Sequence, residues 1–273
     1  MAKIIAEIGG NHNGNATRCV NLVKAAAKCG VDGVKFQYIR DSLYSDGKQR
    51  HKLFPVDLSA MRDLSKSLGL ELGYSVFRKA DVDTLKPHCD FLKVSSYDLL
   101  RLDLIKKCAR SGLPLVLSTG MATDQEMLDA VQAAKLNGCS DLCVLHCVSL
   151  YPVKPEECQL TNIVRLRYVM PSQFKGSYLY RTGWSDHSVS EAVIYRAVHC
   201  WKADMIELHF DDGKGEEAAH SWRPATLTRL IKNIKAGIAA DGGNYRCITP
   251  PEMAERDYRA DPVTGKRKGE QND

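Results

Sequence analysis

No apolar stretch in this sequence approaches the roughly 20 residues that a membrane-spanning helix needs, so no spanning segment is expected. A basic run interleaved with aromatics is also missing ahead of the C-terminal tail. The lysines and arginines are scattered, and nucleic acid is not an expected partner. The opening Met1-Ala2-Lys3 runs straight into Ile4-Ile5-Ala6 without the pattern of a secretory leader. The ten cysteines include no C-x2-C pair. Cys139, Cys143 and Cys147 are spaced C-x3-C-x3-C, which fits neither zinc pairs nor the usual iron–sulfur spacings. Two of them fall in Leu142-Cys143-Val144-Leu145-His146-Cys147, which reads as a buried strand. Free core cysteines in a reducing cytoplasm are therefore expected. Finally, Gly9-Gly10-Asn11-His12-Asn13-Gly14 lacks the G-x-G-x-x-G spacing of a dinucleotide loop.

What is present is regular alternation. Apolar runs at Lys3–Ile8, Gly33–Gln37, Glu71–Phe77, Phe91–Ser95, Leu115–Thr119, Leu142–Cys147, Leu179–Trp184 and Asp204–Phe210 read as strands. Segments of helical periodicity follow each, at Asn15–Cys29, Val56–Leu68, Ala80–Leu85, Leu99–Arg110, Asp124–Lys135, Gln159–Tyr168, Ser190–Trp201 and Ala225–Ala236. Eight strand–helix units predict an α/β chain folded as a (β/α)8 TIM barrel over residues 1–240, with a doubly wound open sheet as the alternative. A polar tail over 241–273 is expected to hold no second domain; Asp241-Gly242-Gly243 breaks the last helix and Pro250-Pro251 is expected to block a new one. The long polar segment from Tyr38 to Pro55 is expected to be a functional or moving loop.

Within Met205-Ile206-Glu207-Leu208-His209-Phe210, strand alternation puts Glu207 and His209 on one face. Ionisable groups there need partners, because burying charge alone is costly. His187 closes another apolar stretch, and two histidines from neighbouring strand ends can hold a divalent metal. Active residues of such barrels stand at the C-terminal strand ends. Polar residues collect there: Glu7, Lys35, Gln37, Ser75, Lys93, Ser95, Ser96, Ser118, Thr119, His146, Ser149, Tyr151, Ser185, His187, Glu207 and His209. Individually each has a plain explanation: Lys35 or Lys93 snorkelling, His146 a satisfied core histidine. Jointly they suit a phosphorylated or carboxylated substrate, and the net charge of +5 agrees with an anionic one. A metal-dependent aldolase or isomerase on this barrel, and a sugar- or phosphate-binding relic without catalysis, stay open as alternatives.

Six ordered stretches resemble the sialic acid synthases, which condense phosphoenolpyruvate with an N-acetylated amino sugar. They are Ile5–Gly14, Asp32–Gln37, Leu117–Ala122, Leu145-His146-Cys147 with Tyr151-Pro152, Trp184–His187 and Ile206–Phe210. The resemblance covers Ile4 to about Gly237. It implies a divalent ion, manganese or magnesium, on His187 and His209. It also implies phosphoenolpyruvate on Lys35, Lys93, Ser96 and Ser118, and the amino sugar or reacting centre facing Glu7 and Tyr151. Glu207 would sit beside the metal, making Glu7, Lys35 and Glu207 the catalytic set; Asp98, Ser149 and Ser185 complete the substrate site. A homodimer is implied as well. Departures cluster near the sugar. Ser95-Ser96-Tyr97-Asp98 stands for the family's Gly-Ser-Gly-Glu, Val76 for a threonine, Ser149 for an asparagine and Leu208 for a basic residue. Asp211–Trp222 replaces an acidic, Pro-containing loop. The acceptor is therefore expected to be N-acetylmannosamine or a related sugar. The chain is expected to lack the family's C-terminal antifreeze-like domain and the arginine that domain lends, with Arg256 and Arg259 of the tail as candidate substitutes.

Overall fold

The computed structural model describes residues 2–39, 54–168, 180–242 and 248–267. The loop expected from Tyr38 to Pro55 lies mostly outside the described residues, as does Leu179, where a strand was expected to begin. The chain divides into two compact units, Met1–Gly237 and Ile238–Asp273.

The first unit bears out the barrel. Eight parallel strands close in sequence order, β1 (Lys3–Gly9), β2 (Gly33–Gln37), β3 (Glu71–Ser75), β4 (Phe91–Val94), β5 (Leu115–Ser118), β6 (Leu142–Cys147), β7 (Arg181–Asp186) and β8 (Met205–His209), with β8 pairing back onto β1. Between them lie α1 (Ala16–Cys29), α2 (Leu58–Ser67), α3 (Lys79–Leu85), α4 (Leu102–Ala109), α5 (Asp124–Leu136), α6 (Asn162–Tyr168) and α7 (Glu191–Tyr195), and α8 (Pro224–Ala240) follows β8. Local chemistry sets their ends. The Asn15 side chain accepts from Arg18 N to start α1, and Gly30 ends it at φ 85°, where a Cβ would be strained. Thr123 and Glu126 form a reciprocal capping box on α5.

Two elements differ from expectation. The helix expected over Ser190–Trp201 is α7 followed by a π-helical turn, Arg196–Cys200. In the second unit, Pro250 and Pro251 open a helix, α9 (Pro250–Glu255), instead of blocking one. Proline is tolerated in the first helical turn, where its missing N–H would be unpaired anyway, and Thr249 caps that turn. Among the described residues, no helix is long and apolar enough to cross a membrane.

Strand alternation decides what the barrel encloses. The outward faces, such as Val34 and Phe36 or Leu115 and Leu117, are buried beneath the helices. Inward, Ile5, Phe91, Val116, Cys143, Leu145 and Met205 form one apolar cluster. Gly73 makes room for it, because a Cβ there would collide with the Phe91 ring. Two residues further along every strand the inward position changes character: Glu7, Lys35, Ser75, Lys93, Ser118, Cys147, Ser185 and Glu207 line a cavity at the C-terminal end.

Candidate active site

The cavity measures about 510 Å³. At its base four charged groups share one cluster. Lys35 Nζ contacts the Glu7 carboxylate, donates to Ser75 Oγ at 2.8 Å and lies 3.8 Å from Glu207 Oε2. Lys93 Nζ approaches Glu207 from the other side, 3.7 Å from Oε1, and Ser185 Oγ donates to that oxygen at 3.1 Å. All four charged groups are buried. Their environments separate them. Burial raises the pKa of Glu7. Burial also opposes charge on Glu207, but Lys35, Lys93 and His209 together outweigh it and hold that carboxyl below its ordinary value. Burial works against the Lys35 ammonium, and Glu207 and Glu7 reverse that and raise its pKa; at Lys93 burial, helped by the neighbouring Lys35 cation, outweighs Glu207, and its pKa falls. Two carboxylates pushed apart in this way can divide the work into a proton carrier and a fixed anion.

Two donors in this cluster are not saturated. An ammonium offers three N–H groups, yet among the described residues Lys93 Nζ reaches only Val94 O at 3.4 Å and the distant Glu207. Ser118 Oγ is buried without a hydrogen-bond partner among the described residues. Both line the cavity. Ser96 also lines it, with Ser149 Oγ behind at 2.9 Å from the Ser96 hydroxyl. Asp98 borders the cavity but accepts from Ser95 Oγ at 2.7 Å and Arg101 Nη1 at 3.2 Å.

Across the mouth stand three imidazoles and a phenol. The Tyr151 ring lies 4.0 Å from His187 and 5.1 Å from His220, and His209 lies 5.4 Å from His187 and 4.7 Å from His220. Nδ1 of His187 bonds Val148 O at 2.7 Å, and Nδ1 of His209 bonds Glu217 Oε2 at 2.7 Å. Each ring therefore has Nε2 left to bind something else, which is how metal-binding histidines are usually held. Burial, then the neighbouring His209, lowers His187 to about 3, so its ring is neutral near pH 7 and fit to be a ligand. The donor set suits a divalent ion. Asp186 holds this wall in place from outside the barrel: it accepts from the indole N–H groups of Trp184 and Trp222, each at 3.0 Å, and from Ser188 Oγ at 2.6 Å.

Most residues expected at the mouth do meet there; Ser149 sits one layer behind. His146 does not. It has the opposite parity to Leu145 and Cys147, so it points outward, where Nε2 bonds Cys158 O at 2.9 Å and the ring lies 5.2 Å from Trp184. The satisfied core histidine is the reading that stands. Glu217 and His220, from the loop after β8, line the cavity without having been expected there. With His209 they place three potential metal-binding atoms within 4.8 Å of one another. No periodicity marks a loop; the only signal was its density of ionisable residues. The described cysteines are free, and all but Cys200 are buried.

A parallel (β/α)8 barrel with its polar residues gathered at the C-terminal strand ends is the architecture of a barrel enzyme. The chain belongs to the NeuB family, whose pattern residues 42–245 match. It is 28% identical to the pseudaminic acid synthase of Helicobacter pylori, over 94% of this chain and 81% of that protein. It is 31% identical to the N-acetylneuraminate-9-phosphate synthase of Drosophila melanogaster, over 85% and 68% respectively. Among solved structures it is similar to the N-acetylneuraminic acid (sialic acid) synthetase of Leptospira borgpetersenii in complex with citrate, with a TM-score of 0.78, 25% identity, and 94% and 91% of the two chains covered.

Proposed function

We propose that this enzyme condenses phosphoenolpyruvate with the open-chain aldehyde of an amino sugar, N-acetylmannosamine or a relative, giving a nonulosonic acid and phosphate. The observation that carries this is the pair of unsaturated buried donors, Lys93 Nζ and Ser118 Oγ, beside Lys35 in one cavity. Such groups are costly unless an anion completes them. A molecule bearing both phosphate and carboxylate does so, and the relatives' names supply the rest: each is a synthase of a related acid.

In this reading Lys35, Lys93, Ser96 and Ser118 hold the phosphate and carboxylate, with Ser149 backing Ser96 and Ser185 orienting Glu207. Tyr151 and Asp98 border the sugar. His187 and His209 hold manganese or magnesium, which when bound supplies Lewis-acid polarisation of a carbonyl oxygen. Carbon 3 of phosphoenolpyruvate forms a bond to the aldehyde carbon while Glu7, its pKa raised by burial, gives a proton to the aldehyde oxygen. Water then adds at carbon 2 and returns a proton to Glu7. The carbon 2–oxygen bond to phosphate breaks, and phosphate leaves with the proton of the new hydroxyl. Glu207 stays ionised and offsets the charge of the two lysines. The cavity holds both substrates within reach, which removes much of the entropic cost of their meeting. We further place the enzyme in the cytoplasm, as a homodimer without nucleic-acid partners.

The test is phosphate release from phosphoenolpyruvate against a panel of amino sugars, with manganese and with chelator. Release that requires one sugar and the metal is expected. Release without any sugar, or no release while manganese binds, would move the assignment to an aldolase or a binding protein.

A further inference from the structure

Glu217 is held more tightly than any pocket wall requires. Its Oε2 accepts from His209 Nδ1 at 2.7 Å. Its Oε1 accepts from Gly10 N at 3.3 Å and Gln37 Nε2 at 3.4 Å. Its backbone is fixed too: the N–H donates to Asn11 Oδ1 at 2.9 Å, and the carbonyl accepts from Ser221 Oγ at 2.7 Å. Asn11 in turn donates to Phe210 O and Ser221 Oγ, each at 3.1 Å, and so ties β1 to the end of β8. Gly9 leaves the space for the carboxylate, since a Cβ there would lie 2.5 Å from Oε2. Gly9-Gly10-Asn11, the glycine-rich turn after β1, is thus a cradle for one side chain contributed by the β8–α8 loop.

What that carboxylate does follows from its partner. An imidazole that donates from Nδ1 to a carboxylate is fixed as the tautomer with its lone pair on Nε2, and its basicity rises. We propose that Glu217 is a positioning residue for the metal: it locks His209 in the tautomer and orientation that present Nε2 to the divalent ion, as Val148 O does for His187. The inference rests on the metal-dependent reading of the mouth. It adds a group outside the strands, so that cation affinity depends on the β8–α8 loop as well as on the barrel.

The experiment is manganese binding to the full-length protein, followed by electron paramagnetic resonance without substrates, for wild type, Glu217→Gln, His209→Ala and His187→Ala. Glutamine keeps the shape and one acceptor oxygen but not the charge; thermal melts identify any variant that fails to fold, and Glu217→Asp then serves in its place. Glu217→Gln is expected to weaken binding about 10- to 100-fold, while at saturating manganese the electron spin echo still shows both coordinated imidazoles. His209→Ala is expected to lose more affinity and one nitrogen coupling. Wild-type affinity in Glu217→Gln would overturn the inference. So would a loss as deep as that of His209→Ala with the nitrogen count intact, because Glu217 would then be a ligand itself. If wild type binds no manganese at all, the metal-dependent reading falls first and takes this inference with it.

Discussion

The two halves of the barrel interior are built from the same strands and differ by one step of the pleat. Toward the N-terminal end the inward residues are Ile5, Gly33, Gly73, Phe91, Val116, Leu145, Gly183 and Met205. Two positions later they are Glu7, Lys35, Ser75, Lys93, Ser118, Cys147, Ser185 and Glu207. The lower half removes apolar surface from water and stabilises the fold. The upper half buries charges that only a ligand satisfies fully, which costs stability. The lower layer also serves the upper one: an apolar floor screens the charges above it less than water would, so each is felt more strongly by its neighbours. Stability and chemistry are thus separable by position along a strand, and each half can be perturbed while the other is watched.

A large effect on folding alone is expected from Phe91→Ala in the floor. Phe91 is 4% exposed and fills the space left by Gly73. Its loss should cost about 3–5 kcal/mol in urea unfolding. The KM for phosphoenolpyruvate of the molecules that remain folded should stay close to wild type.

Lys93→Met inverts that outcome. Lys93 contributes little pairing within the protein, and burial disfavours its charge. Its removal should leave stability unchanged or higher, yet lower kcat/KM by about 10²–10³-fold, the usual effect of deleting one electrostatic donor from a reacting site. Lys35→Met sharpens the contrast, because it takes from the ionised, buried Glu207 one of its two lysines and from Glu7 its contact, and should destabilise by about 3–5 kcal/mol as well as abolish activity. A stable Lys35→Met would show that water already reaches the base of the cavity.

Acid separates the halves without mutation. His187 lies at about 3 in the fold against 6.5 when unfolded, because it is buried and faces His209. Between those values the unfolded chain carries the proton and the folded chain does not, so the stability due to His187 is complete above pH 6.5 and falls as pH drops through the interval. His220, lowered to about 4 by burial and by His209, has the same sign. His209 is raised because Glu217 outweighs burial, and its contribution runs the other way, lost as pH rises through its folded pKa. In the metal-free protein, the urea midpoint should therefore fall between pH 7 and pH 5 by less in His187→Asn than in wild type. Equal slopes would mean that the His187 ring is hydrated.

The sequence exposed these halves unequally. Period-two alternation showed that Glu207 and His209 share a face, and regular strand–helix spacing showed the barrel; both are properties of a repeating backbone. The same parity, applied to His146 beside Leu145 and Cys147, would have sent that ring outward, but a list of strand-end residues ignores which face each occupies. Glu217 and His220 carry no periodic signature, since a loop places side chains by its own hydrogen bonds. Only the fold brings Gly9, Gly10 and Asn11 against a residue more than 200 positions away. The prolines at 250 and 251 read as a break because their position in the turn, rather than their presence, decides whether a helix can start.

The smallest effect is expected where the chain departs from the sialic acid synthases, at Asp98. Its position on the cavity border suggests a sugar contact, but its oxygens already accept from Ser95 and Arg101. A carboxylate engaged in this way acts as a buttress for the turn after β4 and has little left for a sugar hydroxyl. Asp98→Asn keeps one acceptor and the same size, so the sugar KM should move by less than about fivefold, near the ~1 kcal/mol of a single hydrogen bond. The KM for phosphoenolpyruvate should not move. A rise of about 100-fold confined to the sugar would give Asp98 a charge-assisted bond to the acceptor. The turn would then rearrange when substrate binds, and the upper half of the barrel would be less rigid than its cradled loop implies.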